Sequence, residues 1–244
     1  MIVLVYNSTK QYRNVVIFSF EVIQVKTTLF TNFLVDESLS DKSCKHKSDV
    51  GFVMDVSGSV GYHFYDEQMF VKKIAASINI SPEWGRAGVV LFSSNNPGVH
   101  AAAQLMIRFS DYDTYSDKWG DLSVVDSFVE AINDLPFWAG GTRIDKGLEV
   151  AYNELFTESN GMRHDSNKYL ILITDGKQDG LDYNEWSNKF ARENIKVIVI
   201  GVGDVNTRDL LKLVVVDSDL HLAENFDNLM NSMFTENMHL CQGK

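Results

Sequence analysis

The chain reads DVGFVMDVSGS at residues 49–59. Residues 49–56 form a short, mostly apolar run, which is typical of a strand buried on both faces of a parallel sheet. Small polar residues follow this run at once, so the strand ends near Asp55. Three further apolar runs have the same character and predict further buried strands. They are AGVVLFS at 87–93, KYLILIT at 168–174 and IKVIVIGVG at 195–203.

Segments with helical spacing of apolar residues alternate with these strands. A run at 103–109, AQLMIRF, adds one more strand. Alternation of strands and helices implies right-handed crossovers and a parallel sheet covered on both faces. The sequence therefore predicts an α/β fold with a doubly wound, mostly parallel sheet flanked by helices, whose edge can carry an antiparallel strand. The predicted helices span 66–80, 123–134, 144–156, 184–193 and 225–234.

The chain divides at about residue 48. Residues 1–35 are rich in Val, Ile, Phe and Thr and predict two or three strands, and the polar stretch that follows is typical of a linker. We expect residues 1–47 to be an extension and linker of undefined role, residues 48–240 to be the main domain, and residues 241–244 to be a tail.

Composition limits the kind of partner. Of the 244 residues, 45% are hydrophobic and 23% charged, which excludes a disordered or fibrous chain. The net charge of −11 disfavours nucleic acid and anionic lipid, and it suits an extracellular setting or a cationic partner. The chain has no apolar run of membrane-spanning length. Its N-terminus is not a clean signal peptide, because Lys10 and Arg13 interrupt the apolar start.

Oxygen-bearing side chains stand at the strand ends, where ligands bind in sheets of this type. Alternate side chains of the D-x-S-x-S run point the same way in a near-extended turn. Hard oxygen donors suit Mg²⁺, Mn²⁺ or Ca²⁺, and five of them leave a six-coordinate ion with an open position. Helix capping would explain one or two of these residues, but not five at matching strand ends. The predicted metal ligands are Asp55, Ser57, Ser59, Thr142 and Asp175.

These residues resemble the metal-ion-dependent adhesion site of the von Willebrand factor type A family, which is D-x-S-x-S, then a Thr, then an Asp. All five positions match, and the resemblance covers about residues 48–240. The segment GGTRIDKGLEVAYNELF at 140–156 is also similar to matrix proteins of invertebrates.

The resemblance implies a non-enzymatic adhesion module. It implies that Mg²⁺, or else Mn²⁺ or Ca²⁺, accepts an acidic side chain from a protein partner such as collagen or another matrix protein. It also implies a secreted protein of the extracellular matrix, which could be one part of a multi-domain protein, with a disulfide between Cys44 and Cys241 closing the domain. Aromatic and small residues around the metal face would form a partner-binding rim, namely Tyr62, His63, Tyr112, Tyr115, Trp119 and Gly141.

Two alternatives stay open. An intracellular scaffold or regulatory subunit could carry the same domain, and it would keep both cysteines as free thiols. A hydrolase could use Ser57, Asp175 and His221, which occur in the chain order of an α/β-hydrolase triad. Asp55 and Ser59 stand where a nucleophile elbow needs small residues, and a carboxylate there would repel an oxyanion.

Overall fold

A computed structural model describes residues 46–94, 101–112, 123–176, 178 and 181–225. All of these residues belong to one compact unit, Ser43–Lys244. The described strands are β1 (Ser48–Asp55), β2 (Gly85–Phe92), β3 (Ala103–Ile107), β4 (Asn167–Thr174), β5 (Ile195–Val202) and β6 (Leu220–Ala223). The described helices are α1 (Phe64–Ser77), α2 (Val124–Asn133), α3 (Ile144–Val150), α4 (Tyr183–Arg192) and α5 (Thr207–Leu210).

The strands form a single sheet in the order β3-β2-β1-β4-β5-β6. Neighbouring strands are parallel except at one edge, where β3 runs antiparallel to β2. The predicted doubly wound sheet with an antiparallel edge strand is confirmed. Strands β1 and β4 lie side by side at the centre of the sheet. Asp55 ends β1 and Asp175 directly follows β4, so the two predicted acidic ligands stand at neighbouring strand ends.

Two hydrophobic clusters cover the two faces of the sheet. Side chains alternate along each strand, so Phe52 and Met54 of β1 belong to one cluster and Val53 to the other. Helices α1 and α2 pack on the first face, and α3, α4 and α5 pack on the second. Burial on both faces explains why the central strands are nearly continuous apolar runs.

The end of the sheet away from the predicted site is fixed by a buried ion pair. Asp49 has no solvent exposure, and its carboxylate accepts hydrogen bonds from the backbone N–H (2.7 Å) and Nε (2.8 Å) of Arg163 and from the Ser166 hydroxyl (2.6 Å). These contacts join the start of β1 to the loop before β4. Because β1 and β4 are held together from their first residues, their carboxyl ends stay in register.

The predicted helix at 144–156 is divided in two. Helix α3 ends at Val150 and continues as a π-helical turn, Ala151–Leu155, in which Phe156 N–H donates to the Ala151 carbonyl (2.9 Å). Strand β6 and the short helix α5 were not predicted. Among the described residues, no helix has the length and hydropathy needed to cross a membrane.

Several predictions fall outside the described residues. These are the strands and linker of the N-terminal extension, the helix at 225–234 beyond its first residue, and the pairing of Cys44 with Cys241.

Candidate metal centre

Asp55 is the last residue of β1 and is fully buried. Its Oδ1 accepts the backbone N–H of Ser57 (2.9 Å), and its Oδ2 accepts the hydroxyl of Thr174 (2.6 Å). Thr174 is the last residue of the adjacent strand β4, so the two central strands meet at this carboxylate. The hydrogen bonds fix the carboxylate plane beneath the loop that follows β1.

The two serine hydroxyls of that loop form a chain of hydrogen bonds that ends at the residue after β4. Ser57 Oγ lies 3.1 Å from Ser59 Oγ, and Ser59 Oγ donates to Asp175 Oδ1 at 2.9 Å. Asp175 directly follows the end of β4. The D-x-S-x-S turn therefore places its hydroxyls against the second predicted acidic ligand.

The loop that carries Thr142 is docked onto the same turn by its backbone. Gly58 N–H donates to the Gly140 carbonyl (2.7 Å), and Ala139 N–H donates to the Val56 carbonyl (3.0 Å). Ala139 has φ of +56°, a left-handed conformation that costs a residue with a Cβ about 1 kcal/mol or more. Such strain is often found at functional sites, and here it turns the chain into the Gly-Gly-Thr segment.

Thr142 lies against Gly176, the residue that follows Asp175. A Cβ built on Gly176 would lie 2.7 Å from both Oγ1 and Cγ2 of Thr142. The Thr142 side chain thus rests directly on the backbone next to Asp175. Helix α3 comes close to the sheet one turn later, where a Cβ on Gly147 would lie 2.8 Å from the Phe92 ring. Glycine at these two positions allows the loop and its helix to approach the strand ends.

Burial gives the two acidic residues unusual proton affinities. It raises the pKa of Asp55 to about 6, against the lowering effect of its hydrogen bonds from Thr174 and Ser57, and the charge of Asp175 adds to the rise. Burial also raises the pKa of Asp175, while its hydrogen bond from Ser59 and the charge of His63 act in the opposite direction. Ionising both groups therefore costs free energy that a nearby cation would return.

The donor set fits a hard divalent cation. It consists of two carboxylates and three hydroxyls, which are the ligand types of Mg²⁺, Mn²⁺ and Ca²⁺. Thiolate and imidazole are absent from it, and no group of three or more His, Cys, Asp or Glu within the described residues has the arrangement of a metal cluster. A site of this kind is visible only when hydroxyl ligands are counted.

The predicted rim is only partly found near this centre. Tyr62 is 84% exposed, and its ring stacks on His63 with centroids 4.0 Å apart. Gly141 is exposed beside Thr142, and its N–H donates to Ser94 Oγ (2.6 Å).

The prediction for Tyr112 is wrong. Tyr112 is 8% exposed, and its ring packs edge-on against Phe128 with centroids 5.7 Å apart. The antiparallel direction of β3 explains this, since its last residue pairs with Val89 and not with the carboxyl end of β2. The chain leaves β3 at the end of the sheet away from Asp55. Tyr115 and Trp119 lie outside the described residues.

The hydrolase triad is not assembled. Ser57 Oγ is hydrogen-bonded to Ser59, and His221 lies on β6, three strand positions from β1 in the sheet. At the usual spacing of strands this separation is roughly 14 Å, far beyond hydrogen-bond reach of Ser57.

Three supporting residues were not predicted from the sequence. Thr174 holds Asp55, and the neighbouring hydroxyls of Ser93 and Ser94 bind the backbone of Gly141. Ser93 Oγ donates to the Gly141 carbonyl at 3.0 Å. All three stand at or just after the end of a central strand, which is the signal that could have identified them.

A sequence model of the von Willebrand factor type A domain matches residues 49–236. The chain belongs to the von Willebrand factor type A family. This match spans most of the predicted main domain and includes all five proposed ligands.

Sequence relatives of this von Willebrand factor type A domain include collagen chains. The collagen alpha-2(VI) chain of Gallus gallus is 31% identical over 164 residues, 64% of this chain and 14% of that protein. The collagen alpha-5(VI) chain of Mus musculus is 27% identical over 200 residues, 81% of this chain and 7% of that one. Vitrin of Bos taurus is 29% identical over 143 residues, 58% of this chain and 19% of vitrin. The chain thus spans less than a fifth of each of these relatives.

Solved structures with the same fold include proximal thread matrix protein 1 from the mussel byssus. One such structure has a TM-score of 0.67 at 23% identity, covering 78% of this chain and 46% of the other. Another, with a TM-score of 0.66 and 22% identity over the same shares of the two chains, is described as having a zinc-occupied MIDAS motif. At these identities the likeness establishes the von Willebrand factor type A fold.

Proposed function

We propose that this domain is a non-enzymatic adhesion module that binds an extracellular matrix protein through a divalent cation. Asp55, Ser57, Ser59, Thr142 and Asp175 would hold the ion, and an acidic side chain of the partner would complete its coordination. The observation that carries this proposal is the hydrogen-bonded chain from Asp55 through Ser57 and Ser59 to Asp175, which joins the ends of two central strands.

Mg²⁺ is the cation that we propose, with Mn²⁺ and Ca²⁺ as further candidates. Three of the five donors are neutral hydroxyls, and only the two carboxylates carry charge. The two carboxylates would cancel the charge of a divalent ion, and the five ligands together would carry no excess negative charge. A carboxylate from a partner therefore remains an attractive last ligand. Zn²⁺ is also a candidate, because one mussel byssus structure of the same fold is described as having a zinc-occupied MIDAS motif, but the absence of thiolate and imidazole from this donor set favours the harder ions.

The exposed side chains around the turn would contact the partner. Tyr62 presents a large ring to solvent, and His63, on which it stacks, is held by a hydrogen bond to Asp66 (3.0 Å). An exposed aromatic residue next to a metal-bound carboxylate is suited to contribute binding energy. We therefore propose Tyr62, His63 and Gly141 as the rim, with Tyr115 and Trp119, which lie outside the described residues, as further candidates.

Collagen or another matrix protein is the proposed partner, and secretion is the proposed setting. The relatives include collagen chains, and a byssus matrix protein shares the fold. The net charge of −11 would favour basic partners at long range. A disulfide between Cys44 and Cys241 would fit an oxidising compartment.

Adhesion to collagen tests this proposal. We expect the protein to bind collagen-coated surfaces in Mg²⁺ and to fall to the level of uncoated surfaces in EDTA. Asp175→Ala should abolish the Mg²⁺-dependent part, while Asp217→Ala, the same change at an exposed aspartate, should not alter it. Binding that is equal in EDTA, or equal in Asp175→Ala, would contradict a metal bridge.

The contact between Gly176 and Thr142 gives a second prediction. Gly176→Ala would place a methyl group 2.7 Å from Thr142 Oγ1, so the Thr142 hydroxyl must move from its present position. We expect Mg²⁺ affinity, measured by calorimetry, to fall about tenfold, the order of loss that follows a change in a residue that orients a metal ligand. In a Thr142→Ala background those clashing atoms are absent, so Gly176→Ala should cause no further loss. Equal losses in both backgrounds would show that Thr142 is not the residue displaced.

A further inference from the structure

Glu67 is a buried acid for which the five-ligand site gives no role. It lies on α1, has no solvent exposure, and neither carboxylate oxygen has a hydrogen-bond partner among the described residues. Buried side-chain oxygens are nearly always hydrogen-bonded in folded proteins. An unpartnered carboxyl in the core needs a physical explanation, since an apolar residue would be more stable there.

The charged groups that act on Glu67 are all acidic. Burial raises the pKa of Glu67 well above its ordinary value, and the charges of Asp55, Asp175 and Asp66 raise it further, in that order. The two strongest of these are the acidic members of the proposed metal site. Glu67 also stands in the first turn of α1, the α-helix that follows the D-x-S-x-S turn along the chain, so a positive charge held by that turn would act on it.

We propose that Glu67 is a third acidic residue of the metal centre, a positioning residue outside the set of five ligands whose carboxylate increases the affinity of the site for a divalent cation. This inference rests on the proposed function. With a cation bound, its two positive charges would offset the repulsion from Asp55 and Asp175, so ionising Glu67 costs less free energy than in the metal-free protein. Without the cation, the same side chain only destabilises the fold.

A role in packing alone predicts a different result. If Glu67 merely fills space in the core, its replacement by glutamine would change stability and leave cation binding unchanged. If it belongs to the metal centre, replacement changes the two quantities in opposite directions. The metal-free protein becomes more stable, because a buried ionisable group is gone, and the cation binds more weakly, because a favourable charge is gone.

The experiment compares Glu67→Gln with the wild-type protein and with Glu130→Gln, which makes the same charge change at an exposed position of α2. Thermal unfolding in EDTA should show a higher midpoint for Glu67→Gln. Calorimetric titration with Mg²⁺ should show about a tenfold loss of affinity in the same variant, as expected for an outer residue of a metal site. Glu130→Gln should change neither quantity. Should the buried amide prevent folding, Glu67→Met removes the carboxylate without adding a polar group and has the same expected results.

The possible outcomes separate this inference from the proposed function. Wild-type protein that shows no Mg²⁺ binding would contradict the proposed function itself. Wild-type protein that binds Mg²⁺, with unchanged affinity in the Glu67 variants, would overturn the role of Glu67 and leave the five-ligand site standing. Weaker Mg²⁺ binding together with a higher metal-free midpoint supports the inference.

Discussion

Replacement of Asp55 by asparagine is expected to stabilise the metal-free protein at neutral pH and to abolish its response to Mg²⁺. The carboxylate is fully buried, and burial is the main reason that its pKa is raised from 3.8 to about 6. Asparagine keeps the acceptor for Ser57 N–H, and the Thr174 hydroxyl can rotate to accept from the new amide. The neutral side chain therefore fits the same hydrogen bonds without the cost of a buried charge.

The sign of the pH dependence follows from the raised pKa of Asp55. The folded protein holds this proton more tightly than the unfolded chain, so the stability from protonated Asp55 is fully present below about pH 4. That stability is lost as the pH rises through about 6. A shift of about two units corresponds to about 3 kcal/mol, which is the upper limit for the gain of Asp55→Asn at pH 7.

Urea denaturation in EDTA between pH 3.5 and 8 measures this effect. The free energy of unfolding of Asp55→Asn should exceed that of the wild type by about 1–3 kcal/mol at pH 7 and by little near pH 4. Asp217→Asn, at an exposed position, serves as the matched control and should follow the wild-type curve. A wild-type pH slope that persists in Asp55→Asn would show that Asp55 is not the group responsible.

The central sheet and the strand ends that carry the proposed ligands could be predicted from the sequence because both follow from strand patterning. Strands covered on two faces are apolar runs, and the runs end where polar ligands begin. Because parallel strands end at the same edge of a sheet, the predicted strands place Asp55 and Asp175 at one edge, and the structure adds that β1 and β4 are direct neighbours. The proximity of Thr142 needed only the assumption that its loop approaches that edge, which the structure supports.

The burial of Tyr112 and the existence of strand β6 could not be predicted from local sequence patterns. An exposed aromatic loop and a buried one have similar composition, and the direction of β3 decides which one Tyr112 occupies. Strand β6 has only four residues, which is too short for a recognisable strand pattern. Its pairing with β5 stabilises it as a strand. Both depend on tertiary contacts that a local pattern cannot reveal.

Glu67 could have been noticed in the helical pattern. It stands three residues after Phe64 and four before Val71, both of which are buried on the same face of α1. An acid on the apolar stripe of a helix is an exception to amphipathic patterning. Such exceptions often mark functional positions, and this one stands in the first turn of the helix that follows the proposed metal-binding turn.

Addition of Mg²⁺ is expected to raise the thermal stability of the wild-type protein strongly. The proposed ligands come from three separated segments, so the unfolded chain has no comparable site and the cation stabilises the folded state by mass action. At a free Mg²⁺ concentration 100 times the dissociation constant, the gain is about 2.7 kcal/mol. For a domain of this size that corresponds to roughly 5–10 °C in Tm.

Thermal unfolding of the wild type and of Asp175→Ala across a Mg²⁺ titration tests the existence of the cation site most directly. Asp175 is only partly buried, and its removal lessens the repulsion on Asp55, so the variant should fold. We predict that the Tm of the wild-type protein rises with Mg²⁺ concentration and that the Tm of Asp175→Ala stays constant. A wild-type Tm that does not change with Mg²⁺, or an equal rise in both proteins, would contradict the metal centre.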